Sequence, residues 1–232
     1  MTLTPAEAEL FFKLYYALNW WTNKTHHVIP SFTKPVYGTG LPISFNDFQK
    51  VRNALWENPQ WVDDFLAGND SAGFTKGERD IVADWRRYFV TGDFIVHKHL
   101  SRYSVLMTMQ GKPTRLYGVC GLHQHIKEVL TAPTPFMAQS VVLLPFNGRI
   151  IYDGIASFPG VFFGPGIRSD LKEEYAGTKE KSGIITTLDG ESHLKKQPGS
   201  GKSPASPRRT GNRSFSKNTR GGQKGEEDGL DY

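Results

Sequence analysis

Residues 141–152, VVLLPFNGRIIY, carry the strongest local signal in the sequence, since two apolar runs flank Asn147-Gly148. An Asn-Gly pair supplies the positive φ angles that a two-residue type I′ hairpin turn requires. The flanking runs, Val141–Leu144 and Ile150–Tyr152, are rich in the β-branched residues that favour strands. The sequence therefore predicts a β-hairpin at this point.

Short β-rich runs extend from this hairpin in both directions. The predicted strands are residues 94–100, 103–109, 115–120, 138–144 and 149–153, with 160–163 and 183–188 as two further candidates. Two helices are predicted among them, at 124–130 and, after Gly164-Pro165-Gly166, at about 168–181. We therefore assign residues 92–190 to a β-rich part.

Residues 1–91 follow a helical pattern instead. Thr4-Pro5-Ala6-Glu7 combines an N-cap hydroxyl, a proline at the first helical position and a capping-box glutamate. Apolar residues then recur on one helical face as far as Thr25. Three further helix starts are marked by capping residues or by an Asn-Pro pair: Ser44, Asn58-Pro59 and Thr75-Lys76-Gly77-Glu78. Prolines and glycines predict a loop over residues 28–43.

Together these patterns predict an α+β fold, with a helical N-terminal part packed on an antiparallel sheet or partly open barrel. We expect residues 1–91 and 92–190 to form one folded unit. The chain has 232 residues, 38% hydrophobic and 12% aromatic, which is enough apolar side chain to build a core.

The composition also excludes several classes of protein. A single cysteine excludes an intrachain disulfide framework and a multi-cysteine metal site. No run approaches the ~20 apolar residues of a membrane span. Glu7 and Glu9 stand where a signal peptide requires basic residues. The sequence therefore predicts a cytoplasmic protein without a membrane partner.

The net charge of +5 is concentrated at the C-terminal end. Residues 1–194 contain 19 basic and 19 acidic side chains, whereas residues 195–232 contain nine basic and four acidic ones. The latter segment is rich in Gly, Ser and Pro and has few apolar residues, so it cannot bury enough surface to offset the entropy of ordering. We therefore predict a disordered basic tail at 195–232.

Such a tail suits loose binding to RNA, DNA or another polyanion. The candidate contacts are Arg208, Arg209, Arg213, Lys217 and Arg220. The alternative is a solubilising tail that contacts nothing.

Paired histidines form a second candidate site. The candidate ligands are His97, His99, His123 and His125. On a regular strand, His97 and His99 point to the same face, where two imidazoles can chelate one divalent metal ion. No carboxylate follows His99 at a ligand spacing, so histidines satisfied by other partners or by solvent are the competing interpretation.

A glycine-rich turn forms a third candidate, for a phosphate or carboxylate. Gly164, Gly166, Arg168 and Ser169 lie where the turn enters a helix, so free backbone N–H groups and a guanidinium are available to an anion. The structural interpretation is a tight turn in which Ser169 caps the helix.

Two features of the sequence favour packing over chemistry. Cys120, close to His123, is either an activated nucleophile or a small buried hydrophobe.

The first helix has more aromatic side chains than one buried face needs, and the surplus rings are Phe12, Tyr16 and Trp20. These rings either meet a protein partner or are covered by the loop at 28–43.

Three blocks of the sequence resemble a group of uncharacterised prokaryotic proteins, some of which carry a cysteine-rich SEC-C metal-binding motif. The blocks are WRRYFVTGDFIVHKHL (85–100), LLPFNGRIIYDG (143–154) and FGPGIRSDLKEEY (163–175). The resemblance covers most of residues 45–188. This chain departs from the SEC-C pattern, since Cys120 stands alone. The resemblance implies a single folded unit and assigns no site residues.

The leading hypothesis is a non-enzymatic binding protein that needs no cofactor, with a basic tail giving nonspecific affinity for RNA or DNA. The alternative is a metal-dependent hydrolase built around the paired histidines.

Overall fold

The first helix begins where its capping box predicts. In the computed structural model, the Thr4 hydroxyl accepts a hydrogen bond from the Glu7 backbone N–H, and the Glu7 carboxylate accepts one from the Thr4 backbone N–H at 2.9 Å. Helix α1 runs from Pro5 to His26 and ends at His27, which adopts the left-handed conformation. The local signals in the sequence are therefore sufficient to place this helix.

The structure describes residues 1–40, 42–129, 133–161 and 163–188. All of them lie in one compact unit, Met1–Lys196. The tail predicted at 195–232 lies outside the described residues.

Three more helices complete the N-terminal part, at the predicted starts. They are α2 (Phe45–Glu57), α3 (Trp61–Ala67) and α4 (Lys76–Tyr88), with a 3₁₀ turn at Asn69–Ser71. Ser44 caps α2 and Thr75 forms a second capping box at α4.

The β-rich part is a closed five-stranded barrel. Its strands are β1 (Val90–His99), β2 (Ser104–Thr108), β3 (Leu116–Cys120), β4 (Phe136–Phe146) and β5 (Arg149–Tyr152). They follow the order β1-β2-β3-β5-β4, and β4 pairs back onto β1. The predicted hairpin is confirmed, since Asn147 and Gly148 join β4 to β5 with φ angles of 49° and 70°.

The α+β class is confirmed, but the sheet is neither open nor wholly antiparallel. Strands β3 and β5 pair in parallel, and the long connection between them, through α5 (Ile126–Val129) and β4, makes a parallel pair possible. The spatial order β4-β1-β2-β3 is that of a Greek key, and the OB-fold is likewise a five-stranded Greek-key barrel. The predicted strand at 183–188 is reduced to a single bridge between Ile185 and Tyr117, and Gly160 and Val161 lie in irregular structure.

The apolar side chains form three clusters, one inside the barrel and two outside it, because successive residues of a strand point to opposite faces of the sheet. In β4, Val141 and Leu143 face the barrel interior, whereas Val142 and Leu144 join the core formed with α1–α4. A third cluster lies outside β1, β2 and β3, where Tyr175 of α6 (Pro165–Ser182) covers it. The barrel is therefore covered by the helical part on one side and by α6 on the other.

None of the helices in the described part of the chain is long and apolar enough to cross a membrane.

Candidate functional site

A cavity of about 230 Å³ opens between the helical part and the barrel. We call it the aromatic pocket. Helix α1 contributes Phe12, Tyr15 and Tyr16, and α2 contributes Phe45 and Phe48. The remaining wall comes from the chain after β3 and from the end of β5, where the lining residues include His123, Gln124, Tyr152 and Asp153.

Asp153 is the charged residue in the lining of the aromatic pocket, and it is buried in an ion pair with Arg52; we call its position the floor of the pocket. Arg52 of α2 donates from Nε to Asp153 Oδ2 at 2.5 Å and from Nη2 to Oδ1 at 3.0 Å. The side chains of Arg52 and Asp153 are only 3% and 0% exposed. A bidentate pair in this geometry links the helical part directly to the barrel.

The remaining lone pairs of this carboxylate are also used. The Tyr15 hydroxyl donates to Asp153 Oδ2 at 2.7 Å, and the Ile155 backbone N–H donates to Oδ1 at 3.2 Å. Trp56 Nε1 donates in turn to the Tyr15 hydroxyl at 3.3 Å. An ionised carboxylate offers about four acceptor positions, so Asp153 has none left for a substrate proton.

The hydroxyls beside this ion pair are held in their neutral form. Burial and the neighbouring Asp153 raise the pKa of Tyr15 well above its ordinary value. Burial also raises the pKa of Tyr152 to about 12, and Asp153 contributes to the same shift. Burial alone lowers the pKa of the Arg52 guanidinium, but Asp153 and Tyr15 raise it above its usual value. The floor thus holds one charge pair and neutral phenols.

One wall of the aromatic pocket is a set of nearly parallel rings. Phe12 and His123 stack with centroids 5.2 Å apart and an interplanar angle of 7°. Tyr37, from the loop before α2, stacks on both Phe12 and His123, at 5.7 and 5.6 Å. Tyr16 lies next to Phe12 at 5.2 Å. Phe12, Tyr16 and His123 line the cavity, so packed aromatic side chains form this wall.

The four candidate histidines lie in three places. His97 stacks on Tyr175 of α6 at 4.4 Å, and His123 belongs to the aromatic pocket. His99 is at the end of β1, where its Nδ1 lies 2.7 Å from Ser104 Oγ. His125 precedes α5 and lies within electrostatic range of His99, since it adds to the lowering of the His99 pKa, of which burial is the larger cause.

A β-bulge separates His97 from His99. Val96 pairs with Leu106, and Lys98 pairs with the next residue, Val105, so one extra residue is inserted in β1. His97 consequently faces α6, whereas His99 lies opposite Ser104. Among the described residues, no group of three or more His, Cys, Asp or Glu side chains is arranged to hold a metal ion. His99 Nε2 and His125 Nδ1 are both buried and have no hydrogen-bond partner there.

The turn before α6 is built differently from the prediction. Gly164 is the N-cap, Pro165 opens the helix, and Ser169 lies inside it. Arg168 donates from Nε to the backbone carbonyl of Phe163 at 2.9 Å. Gly166 lies in the first turn of α6. Because Gly164 is the N-cap, the prediction that Ser169 caps the helix is wrong.

Cys120 occupies a buried position at the end of β3. Burial raises the pKa of its thiol, and its Sγ lies 3.7 Å from the carbonyl of Arg102. A thiol kept protonated by burial behaves as a small hydrophobe.

Phe12, Tyr16 and Trp20 were expected either to meet a protein partner or to be covered by the loop at 28–43, and residues of this loop lie on two of the three rings. Tyr37 stacks on Phe12, and Lys34 Nζ lies 5.3 Å from the centre of the Trp20 ring. Phe12, Tyr16 and Trp20 are each half-buried.

Sequence reasoning missed the ion pair of Arg52 and Asp153, although α2 contains a signal for it. Phe48, Arg52 and Leu55 are spaced four and three residues apart, so they share one helical face. A cation in that apolar stripe implies a buried acidic partner. The identity of the partner could not be read from the sequence, because Asp153 lies 101 residues away.

The basic contacts assigned to the tail (Arg208, Arg209, Arg213, Lys217 and Arg220) lie outside the described residues. No family model matches the sequence, and neither a curated protein nor a solved structure matches it at a significant level. The resemblance to an uncharacterised prokaryotic group stays a prediction.

Proposed function

We propose that this chain is a non-enzymatic binding protein whose basic tail gives sequence-independent affinity for single-stranded RNA, DNA or another polyanion. The observation that carries the proposal is the division of charge. Residues 1–194 are balanced, whereas nine basic side chains fall between Lys195 and Lys224 with no acidic residue among them. A run of basic side chains attracts phosphates because neutralising them releases their condensed counterions.

The chemistry of the folded part supports binding over catalysis. Asp153, the buried carboxylate at the aromatic pocket, has its acceptor positions filled by Arg52, Tyr15 and a backbone N–H. Cys120 is buried and its pKa is raised, which is the opposite of an activated thiol. These groups stabilise the fold where they lie.

The barrel itself supports assigning the polyanion contact to the tail. By analogy, OB-fold barrels bind oligonucleotides on the face of strands β2 and β3. In this chain Tyr175 of α6 packs with Val105 of β2 and Leu116 of β3, on the outside of the barrel. The surface that the analogy would use is therefore occupied by the chain's own helix.

Binding of a fluorescent single-stranded oligonucleotide, measured by anisotropy over a series of salt concentrations, tests this proposal. We expect weak affinity that is almost independent of base sequence and that falls steeply with salt. Replacing Arg208, Arg209, Arg213 and Arg220 with Gln is expected to flatten the salt dependence and remove most of the binding.

The matched control is Arg168→Gln, in the neutral part of the chain. If Arg168→Gln abolishes binding while the four tail substitutions leave it intact, the anion site is the turn at Gly164–Ser169 and the proposal is wrong.

The alternative, a metal-dependent hydrolase, now depends on one pair of side chains. His99 Nε2 and His125 Nδ1 are buried without a hydrogen-bond partner among the described residues, and the two side chains interact electrostatically. Elemental analysis of protein purified without chelators discriminates between the hypotheses. A stoichiometric metal that is lost in His99→Gln would favour the hydrolase, and its absence would favour the binding protein.

A further inference from the structure

The aromatic pocket has the size of one ring system. Its volume of about 230 Å³ lies below the ~300–1,000 Å³ typical of pockets for drug-sized ligands. Its walls are mainly the side chains of Phe12, Tyr16, Phe45 and Phe48, together with His123. An aromatic lining favours an aromatic occupant, since offset or edge-on ring contacts add stabilisation beyond apolar burial.

The charge at the pocket floor is already compensated. Arg52 and Asp153 neutralise each other, and the Tyr15 hydroxyl also donates to Asp153. An anionic or cationic ligand would lose its hydration without gaining an unpaired counter-charge at this floor. The floor therefore favours an uncharged ligand.

Two polar groups at the pocket remain available for a hydrogen-bonding edge. Tyr152 and Gln124 both line the pocket, and neither the Tyr152 hydroxyl nor the Gln124 side-chain amide makes a hydrogen bond within the described residues. Because the pKa of Tyr152 is about 12, its hydroxyl is a neutral donor and acceptor near pH 7. A few placed polar groups in an apolar cavity are typical of sites that bind and orient a small molecule.

The mouth of the pocket exposes apolar surface. Phe45 is 53% exposed and Val129 is 47% exposed, and both line the pocket. Burying such surface under a ligand is favourable because it removes apolar area from water.

We propose that the aromatic pocket binds one uncharged heteroaromatic ring system, monocyclic or fused bicyclic, with a hydrogen-bonding edge, held against Phe12 and His123 and contacted at its edge by Tyr152. This site is separate from the basic tail. Binding in the pocket would be selective for a ring system, whereas the proposed affinity of the tail for polyanions does not depend on their base sequence.

Calorimetric titration of the full chain with adenosine, uridine and indole tests the proposal. The salt concentration should be about 1 M, where the screening length is ~3 Å and the attraction of the tail is suppressed. We expect at least one of the three rings to bind. Phe45→Ser and His123→Ala are each expected to weaken that binding about fivefold or more, since they remove apolar or stacking surface.

The matched control is Ile167→Ser on α6, where an apolar side chain of similar exposure (52%) that does not line the pocket is removed. The affinity of the Ile167→Ser variant for the ring compound should equal that of the unmodified protein. Tyr152→Phe removes one hydroxyl and should weaken adenosine or uridine binding by about two- to tenfold. Thermal melting of each variant verifies that the fold is retained.

Two results would overturn the proposal: none of the three rings binds, or Ile167→Ser weakens binding as much as Phe45→Ser does. The variant with four tail arginines replaced by Gln separates this proposal from the proposed function. It should keep the affinity for the ring while it loses the affinity for the oligonucleotide.

Discussion

Arg52 in α2 and Asp153 after β5 form a bidentate ion pair with N–O distances of 2.5 and 3.0 Å, and both side chains are almost completely excluded from water. The pair joins the helical part to the barrel. Its position beside Tyr15 and Trp56 makes it the centre of a buried hydrogen-bond network.

Removing one partner of this pair is expected to destabilise the protein strongly. Arg52→Met leaves Asp153 as a buried charge without its cation, which costs about 3–5 kcal/mol in the free energy of unfolding. Urea denaturation measures this loss. Adding Asp153→Leu should recover much of it, because no isolated charge then remains.

The exposed pair of Lys76 and Asp80 provides the control, since Lys76 is 91% exposed. Lys76→Met should leave the urea midpoint unchanged. An effect of Arg52→Met as small as that of Lys76→Met would contradict the structural role of the buried pair.

Stability is expected to decrease between pH 7.5 and 5.5. Burial lowers the pKa of His97, with Lys98 adding to the shift. Burial also lowers the pKa of His99, with His125 and Lys127 adding to it. Below the ordinary histidine pKa of about 6.5, the unfolded chain takes up protons that the folded protein does not, so the free energy of unfolding falls as the pH falls.

Urea midpoints at several pH values between 7.5 and 5.5 measure this effect. Replacing His97 and His99 with Gln should make the dependence shallower, and a residual slope is expected because burial also lowers the pKa of His26. The exposed His27, replaced with Asn, serves as the control. A slope unaltered by the double substitution would show that these two imidazoles are not its source.

Two glycines are expected to respond to alanine in opposite directions. A Cβ at Gly121 would lie 2.0 Å from the backbone oxygen of Gln124, so Gly121→Ala should cost about 3 kcal/mol or more. A Cβ at Gly177, inside α6, meets nothing within 4 Å. Gly177→Ala should therefore stabilise the protein by about 0.5–1 kcal/mol through helix propensity. Thermal melting compares the two, and a tolerated Gly121→Ala would contradict the packing after β3.

Removing residues 195–232 is expected to leave the melting temperature of the rest of the chain nearly unchanged. The segment has no apolar pattern that could form a core. Differential scanning calorimetry of the shortened and complete chains provides the comparison. A loss of several degrees would mean that the tail stabilises the folded part and that the boundary at 195 is wrong.

The sequence alone was sufficient to place those helices and turns that depend on interactions between residues close together in the chain. The capping boxes at Thr4 and Thr75 place two helices, and Asn147-Gly148 places the β4–β5 hairpin. In each case the signal and the structure lie within a few residues, so helix capping and turn conformation are readable from the chain.

The strand pairing of the barrel and the arrangement of the candidate site could be seen only in the tertiary structure. The parallel pairing of β3 with β5 and the bulge that turns His97 away from His99 depend on which strands meet across the sheet. The pairing of Arg52 with Asp153 likewise depends on α2 packing against the end of β5, 101 residues later. Such contacts follow from packing between distant segments, and residue spacing along the chain does not specify them.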